Sequence, residues 1–205
     1  MMKKILFYTL ILLFVSGCSL QTKVAAHTQY RLQTTKQTQI FAANTCKEDL
    51  LGLKNIISYD PIATRSIYYQ VGENELASYS ESNWESPLFK TVESSLISNL
   101  RDANIFKDVV VSRSFAKPDY ILEYSVGEFI QHFSEDMKSS YVLVNIHFTL
   151  LDNKTSKLLY TTTIEKKIPT KTLDAKGGVI ALQEALGEVM KDTNIWLNTQ
   201  CEKGL

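Results

Sequence analysis

Apolar and polar positions alternate over long stretches in the second half of the chain. Tyr120, Leu122, Tyr124 and Val126 alternate with Glu123, Ser125 and Gly127. Val142, Val144, Ile146, Phe148 and Leu150 alternate with Leu143, Asn145, His147 and Thr149. A period of two puts every second side chain on one face, so both segments read as half-buried β-strands. Asp152-Asn153-Lys154 reads as a turn, and Lys157 to Ile168 returns as a third strand. Three long strands joined by short turns predict an antiparallel meander. Upstream, Leu51, Leu53 and Ile57 alternate with Gly52, Lys54 and Ser58, a strand that Pro61 ends or edges. Arg65 to Val71 and Glu75 to Tyr79 flank Gly72-Glu73-Asn74. Gly and Asn tolerate positive φ, which predicts a β-hairpin. Tyr30-Arg31-Leu32 and Val109 to Val111 read as short strands.

Two segments carry the longer helical period. Leu88, Val92, Leu96 and Leu100 fall on one stripe. Ser86 is the expected cap, Pro87 the first helical residue and Asn104 the stop. Near the C-terminus, Asp174 to Gly178 leads into a run of Val179, Leu182, Leu186, Val189, Met190, Thr193, Trp196 and Leu197. Such an apolar face needs a sheet to cover it. The sum predicts an α+β fold. It is a single domain over residues 49–205, a mostly antiparallel β-sheet with two α-helices packed on one face. Trp84 and Trp196 are expected to plug the core where helices meet the sheet. The alternative is that one of them lines a groove for a lipid or a partner. Tyr68 and Tyr69 are adjacent, so they point to opposite faces of their strand. Tyr68, Tyr69 and Trp84 are therefore the candidate contact residues for a partner or lipid.

The N-terminus carries a different pattern. Lys3 and Lys4 precede an apolar run, Ile5 to Val15, broken only by Thr9. The run is about half of the ~20 residues that cross a bilayer as a helix, and it fits the core of a secretory signal. Val15-Ser16-Gly17-Cys18 follows and resembles the lipobox of bacterial lipoproteins. Val15, Ser16 and Gly17 would be read by the signal peptidase. Cys18 would carry a diacylglyceryl group, and cleavage before it frees an amine for a third acyl chain such as palmitate. Each buried CH₂ contributes ~0.8 kcal/mol, so several chains anchor a protein stably. Residues 1–17 are then a signal peptide, and 18–48 a lipidated terminus and Thr/Gln-rich tether. Extended from Cys18 to Tyr30, the tether reaches about 40 Å. Asp after the lipidated Cys retains many Gram-negative lipoproteins in the inner membrane. Ser19 resembles the export-permissive class, so the expected address is the periplasmic face of the outer membrane, with inner-membrane retention as the alternative.

Composition narrows the function. Hydrophobic residues make up 44% of the 205 positions, with only 8 Gly and 4 Pro, which excludes a disordered or collagen-like chain. The 22 basic and 22 acidic side chains cancel, so no global field draws in nucleic acid. With Cys18 acylated, Cys46 and Cys201 are left over. In an oxidising compartment they are disulfide candidates, with two free thiols as the alternative. A bridge would close most of the chain into one loop, contributing at most roughly 5 kcal/mol in the chain-entropy picture.

Several further features line up in order. Tyr-Arg-Leu at 30–32 is followed by Tyr59-Asp60-Pro61 and an Arg65-Ser-Ile-Tyr-Tyr strand. The turn Gly72-Glu-Asn-Glu-Leu76 leads to Tyr79, Trp84 and Pro87-Leu88. Asp119-Tyr-Ile-Leu122 opens a long strand, and Gly177-Gly178 opens a helix that ends in Trp196-Leu197. From Tyr30 to Leu197 the chain resembles the ABC-type transport auxiliary lipoproteins. That resemblance implies a non-enzymatic component of a lipid transporter whose periplasmic subunit carries an MCE domain, of the Mla type that maintains outer-membrane lipid asymmetry. Implied partners are the membrane, MCE-domain and ABC permease subunits, and phospholipid; a homo-oligomer is compatible with it. The alternative is a structural or assembly lipoprotein supporting an outer-membrane barrel or secretion complex. The stretch between Leu32 and Leu51 departs from the family in its Thr/Gln content, and the Cys46/Cys201 bridge is a local inference that the resemblance does not imply.

Catalytic chemistry finds little support. No Gly-x-Ser-x-Gly elbow and no Gly-x-x-x-x-Gly-Lys phosphate loop occurs. Gly177-Gly178 reads as a helix-entry kink. His27, His132 and His147 share no ligand spacing, so no metal is expected. Glu128, Glu135 and Asp136 read as solvated carboxylates rather than an acid–base pair. Asn153-Lys154-Thr155 is chiefly a turn. No cofactor is expected beyond the covalent lipid on Cys18.

Overall fold

The computed structural model describes residues 27–33, 41, 45–56, 63–111 and 114–205. The lipobox at Val15 to Cys18, most of the tether, and Ile57 to Pro61 lie outside the described residues. Among the described residues, eight strands and two helices follow in chain order. They are β1 (Thr28–Tyr30), β2 (Leu50–Asn55), β3 (Ser66–Val71), β4 (Glu75–Trp84) and α1 (Leu88–Ala103). Then come β5 (Asp108–Val111), β6 (Tyr120–Phe133), β7 (Ser140–Asp152), β8 (Lys157–Pro169) and α2 (Ala175–Glu202).

The alternating segments form the predicted meander. β7 pairs antiparallel with the whole of β6 on one side and with β8 on the other. β3 and β4 form the predicted hairpin, with Val71 opposite Glu75 and Gly72 at φ 57° in the turn. The rest of the sheet corrects the expectation of a mostly antiparallel sheet, for the sheet is mixed. β2 lies parallel to the first half of β6, with Leu51 opposite Tyr120. β3 lies parallel to its last residues, with Tyr69 opposite Gln131. β5 is parallel to β2, and β1 to β4. The physical reason is connectivity. Between β2 and β5 the chain makes a hairpin and α1, a crossover long enough to return in the same direction. Alternation reports which face a side chain takes, and is silent about the direction of the neighbouring strand.

One face of β7 is fully covered: Val142, Val144, Ile146, Phe148 and Leu150 are each 0% exposed. They share one core with Leu122, Tyr124 and Val126 of β6 and Leu182, Leu186, Val189 and Leu197 of α2. The apolar stripe of α1 joins the same core through Leu88, Val92, Leu96 and Leu100. The two helices meet at a buried amide pair, Asn194 Nδ2 donating to Asn99 Oδ1 at 2.8 Å. In β6 the register against β7 shifts between Val126 and Glu128, so Gly127 is the extra residue of a bulge. The core-facing parity therefore changes from Val126 to Phe129. A Cβ at Gly127 would lie 2.9 Å from Asn145 Oδ1, a contact that glycine avoids.

Helix ends follow local chemistry. Pro87 is itself the N-cap of α1, and Ser86 does not cap it: its Oγ lies 3.0 Å from Thr91 Oγ1. Asn104 ends the helix in the left-handed region at φ 54°, as its tolerance of that region predicts. Asp174 caps α2, accepting from Gly177 N at 2.8 Å and from Thr172 Oγ1 at 2.7 Å. The Thr172 hydroxyl and the Gly177 amide hold its carboxyl below the usual range. A depressed pKa gives stability that is present above the ordinary carboxylate value and lost as pH falls through the folded one. Asp174→Ala is expected to cost about 1 kcal/mol at neutral pH and nothing in strong acid, measured as urea midpoints across pH.

Gly177 and Gly178 are packing requirements of this corner. A Cβ on Gly177 would overlap the Thr172 carbonyl oxygen, and one on Gly178 would overlap Gln131 Oε1. Gly187, further along α2, has nothing within 4 Å of its would-be Cβ. Gly177→Ala is expected to destabilise by roughly 1–3 kcal/mol through overpacking. Gly187→Ala should gain up to about 1 kcal/mol from helix propensity. Denaturant midpoints of the two variants on opposite sides of wild type would verify this contrast.

The meander leaves a long edge. Among the described residues β8 pairs only with β7. Its register breaks between the partners of Leu150 and Leu151, and it ends in Pro169. Lys166 bridges to Asp192 of α2 at 2.6 Å, and Lys167 sits 3.7 Å from the centre of the Tyr141 ring.

Candidate functional site

Cys46 and Cys201 are joined by a disulfide, with Cα atoms 5.6 Å apart and a sequence separation of 155. Both are in the core, at 1% and 0% exposure. The bridge fastens the segment that leads into β2 to the last turn of α2. Around it, Thr45 Oγ1 donates to Cys201 O and Lys47 Nζ to Asn104 O. Asp49 N donates to Cys46 O at 3.0 Å, and Lys107 N to Asp49 O at 2.9 Å. Burial, and then nearby Asp119, push the Asp49 carboxyl above its usual range.

The three candidate contact residues separate. Trp84 is 3% exposed and stands edge-on to Phe129, with ring centroids 6.2 Å apart. It is the core plug of the first expectation and offers no contact surface. Tyr69 lies on the core side of the hairpin, 4.7 Å from Tyr79 and 5.7 Å from Phe133 by ring centroids. Tyr68 takes the opposite face, across from Ser78, and keeps part of its surface. Trp196 is half-buried, 6.5 Å from Phe148 between ring centroids.

Beneath Tyr69 and Tyr79 runs a polar chain that strand alternation did not single out. Tyr79 Oη donates to Gln131 Oε1 at 2.9 Å, and Gln131 Nε2 donates to Ser140 Oγ at 2.9 Å. Ser140 Oγ in turn bonds Thr170 Oγ1. Gln131 is 0% exposed, and α2 approaches it at Gly178. Burial pushes the Tyr79 hydroxyl well above the usual phenol range, so it stays a neutral donor. The sequence signal was present: a lone amide in the apolar run Phe129-Ile130-Gln131-His132-Phe133, facing a Gly-Gly pair. A fully paired network of this kind fixes the relative position of hairpin, meander and helix.

The imidazoles stay apart. Asn83 Nδ2 lies 3.0 Å from His27 Nε2, and His147 Nδ1 lies 2.9 Å from Thr163 Oγ1. His132 stacks on Tyr141 with ring centroids 5.0 Å apart and has Glu128 Oε1 at 3.1 Å. Asp136 accepts from Ser134 Oγ in the β6–β7 turn, and Glu135 lies against Gly72. Among the described residues no three His, Cys, Asp or Glu side chains gather as a metal site, and no helix is long and apolar enough to cross a membrane. At the entry of the chain, Arg31 makes two bonds to Glu85, at 2.5 and 2.7 Å. The pair is exposed and contributes little to stability.

This architecture has solved counterparts. A protein from Xanthomonas campestris aligns over 86% of this chain and 97% of its own, with 19% identity and a TM-score of 0.74. An uncharacterised protein aligns over 84% and 99%, with 16% identity and a TM-score of 0.62. At such identities the likeness is one of fold. No curated protein matches the chain in sequence. The profile of the prokaryotic membrane lipoprotein lipid attachment site matches residues 2–19, spanning Cys18 and the apolar run before it. That of the ABC-type transport auxiliary lipoprotein component matches residues 30–193, from β1 into the second half of α2. With an N-terminal lipid-attachment site and a sheet-and-helix body matched over most of its length, the chain belongs to the ABC-type transport auxiliary lipoprotein component family.

Proposed function

We propose that this protein is a periplasmic lipoprotein, held in the outer membrane through Cys18, that serves an ABC-type lipid transporter of the MCE, or Mla-like, kind. The observation that carries this reading is the family match over residues 30–193 downstream of a lipid-attachment site. Ser19 supports the outer-membrane address, and a buried cystine suits the oxidising periplasm. The body contributes no nucleotide loop, so ATP hydrolysis belongs to a partner. Its own work is to dock that partner non-enzymatically, with no cofactor. Tethering raises the effective concentration of the docking surface without tight intrinsic affinity, and Tyr68 is the hairpin side chain placed to take part.

Affinity purification of the lipidated protein from detergent-solubilised envelopes is expected to bring down a permease, an ATPase or an MCE-domain protein. Deleting the gene should raise detergent sensitivity and disturb lipid asymmetry. Unchanged asymmetry and sensitivity would defeat the transport role. Crosslinks that trap an outer-membrane barrel and no transporter subunit would assign the protein to envelope assembly instead.

A further inference from the structure

The sheet face turned away from the helices is mostly polar, but one end of it is not. By strand register, Leu158 of β8, Leu151 of β7 and Ile121 of β6 stand side by side, and the row continues over Gly52 of β2 to Val110 of β5. Leu158 is 54% exposed. Pro118 folds over Gly52, where a Cβ would lie 2.8 Å from its Cγ. Between this loop and the row lies a mostly apolar cleft of about 300 Å³, lined by Ala116, Pro118 and Ile121 among others. Next to Ala116 stands Phe115, a fully exposed aromatic side chain.

Four lysines rim this end, with the carboxylates of Asp119, Glu123 and Asp152 among them, Asp152 standing across the β7–β8 pair from Lys157. Lys54, Lys117, Lys154 and Lys157 are all exposed. Lys54 is paired with Glu123 at 2.8 Å and Lys154 with Asp119 at 3.6 Å. Lys117 and Lys157 have no ion-pair partner among the described residues. An apolar wedge bordered by unpaired lysines is the pattern of a protein surface that settles on an anionic bilayer, ring and leucine in the interface and ammonium groups at the phosphates.

We propose that this end of the sheet is a second, reversible membrane contact: Phe115 and Leu158 enter the interfacial region of an anionic leaflet while Lys117 and Lys157 meet its headgroups. The bilayer is within reach. From Cys18 to Thr28 the chain extends at most about 35 Å, roughly twice the radius of gyration of a domain this size, about 16 Å. The anchored body can therefore turn this end onto the surface. The inference takes from the proposed function only that a bilayer is near, and it is independent of any transporter subunit.

The complete mature polypeptide from Ser19, made without acyl chains, is the test material. It should co-sediment with vesicles of phosphatidylcholine and phosphatidylglycerol, and much less with phosphatidylcholine alone or in high salt. Phe115→Ala should weaken binding at least about tenfold. Lys117→Gln and Lys157→Gln should each weaken it roughly fivefold. In the lipidated full-length protein, a photoreactive phenylalanine at position 115 should capture phospholipid. No vesicle binding, equal binding by Phe115→Ala, or capture of protein alone (a second copy or another chain) would each overturn the inference. All these outcomes leave pelleting through Cys18 and transporter co-purification untouched, so the two readings fail separately.

Discussion

Replacing Cys46 and Cys201 together by alanine is expected to lower the stability of the folded domain by up to about 5 kcal/mol. The bridge spans 155 residues, so its loss frees nearly the whole described body in the unfolded state. Domains of this kind have about 5–15 kcal/mol in total, so the change takes a large share. The shift in melting temperature should be on the order of 10–20 °C for a chain of this length. Both sulfurs sit in the core, so a mild reductant should act slowly on the native protein and fully only once it unfolds. Guanidinium titrations of oxidised, reduced and double-alanine protein make the comparison. Coincident midpoints, or free thiols in the native protein, would remove the cystine from the account.

Exporting Ser19–Leu205 behind a cleavable secretory signal without a lipobox is expected to move the protein from the membrane pellet to the soluble fraction in high salt. A single fatty chain gives only marginal binding, on the order of 10⁴ M⁻¹, whereas several make the attachment stable. No helix among the described residues can replace them. High salt matters because a lysine-dependent contact of the folded body would survive at low salt and wash off at high salt. Fractionation with an acyl-labelling control is the measurement. Continued pelleting of the unacylated chain, with function intact, would mean that Cys18 is not the anchor.

The sequence was most legible where one face of an element is buried and the other wet. β6, β7 and β8 appear where alternation places them, and the stripe of α1 is buried at Leu88, Val92, Leu96 and Leu100. Strand direction was not legible. Leu51 and Leu53 face the core equally well beside a parallel or an antiparallel neighbour, and the crossover through α1 decides. The sequence predicts a short strand at Tyr30-Arg31-Leu32, whereas β1 is Thr28–Tyr30: Arg31 turns out to Glu85 and Leu32 in to the core. Ser86 has the chemistry of a cap, but Pro87 takes the position. The lipid-attachment site was the plainest signal, because the lipobox is read as linear sequence. The candidate contact residues were harder, because exposure depends on tertiary neighbours. Trp84 and Tyr68 both suggested contacts, and packing on Phe129 takes the first away.

The rim of β8, which pairs with no second strand among the described residues, acquires a meaning once the protein is confined to a plane. Lipoproteins on one leaflet collide far more often than the same molecules free in solution. A straight, unguarded strand would then zip neighbours into growing ribbons. The break in register near Leu158, the salt link at Lys166 and the terminal Pro169 deny a neighbour a continuous ladder. Crowding in two dimensions is thus met by an edge that resists strand-to-strand ribbon growth.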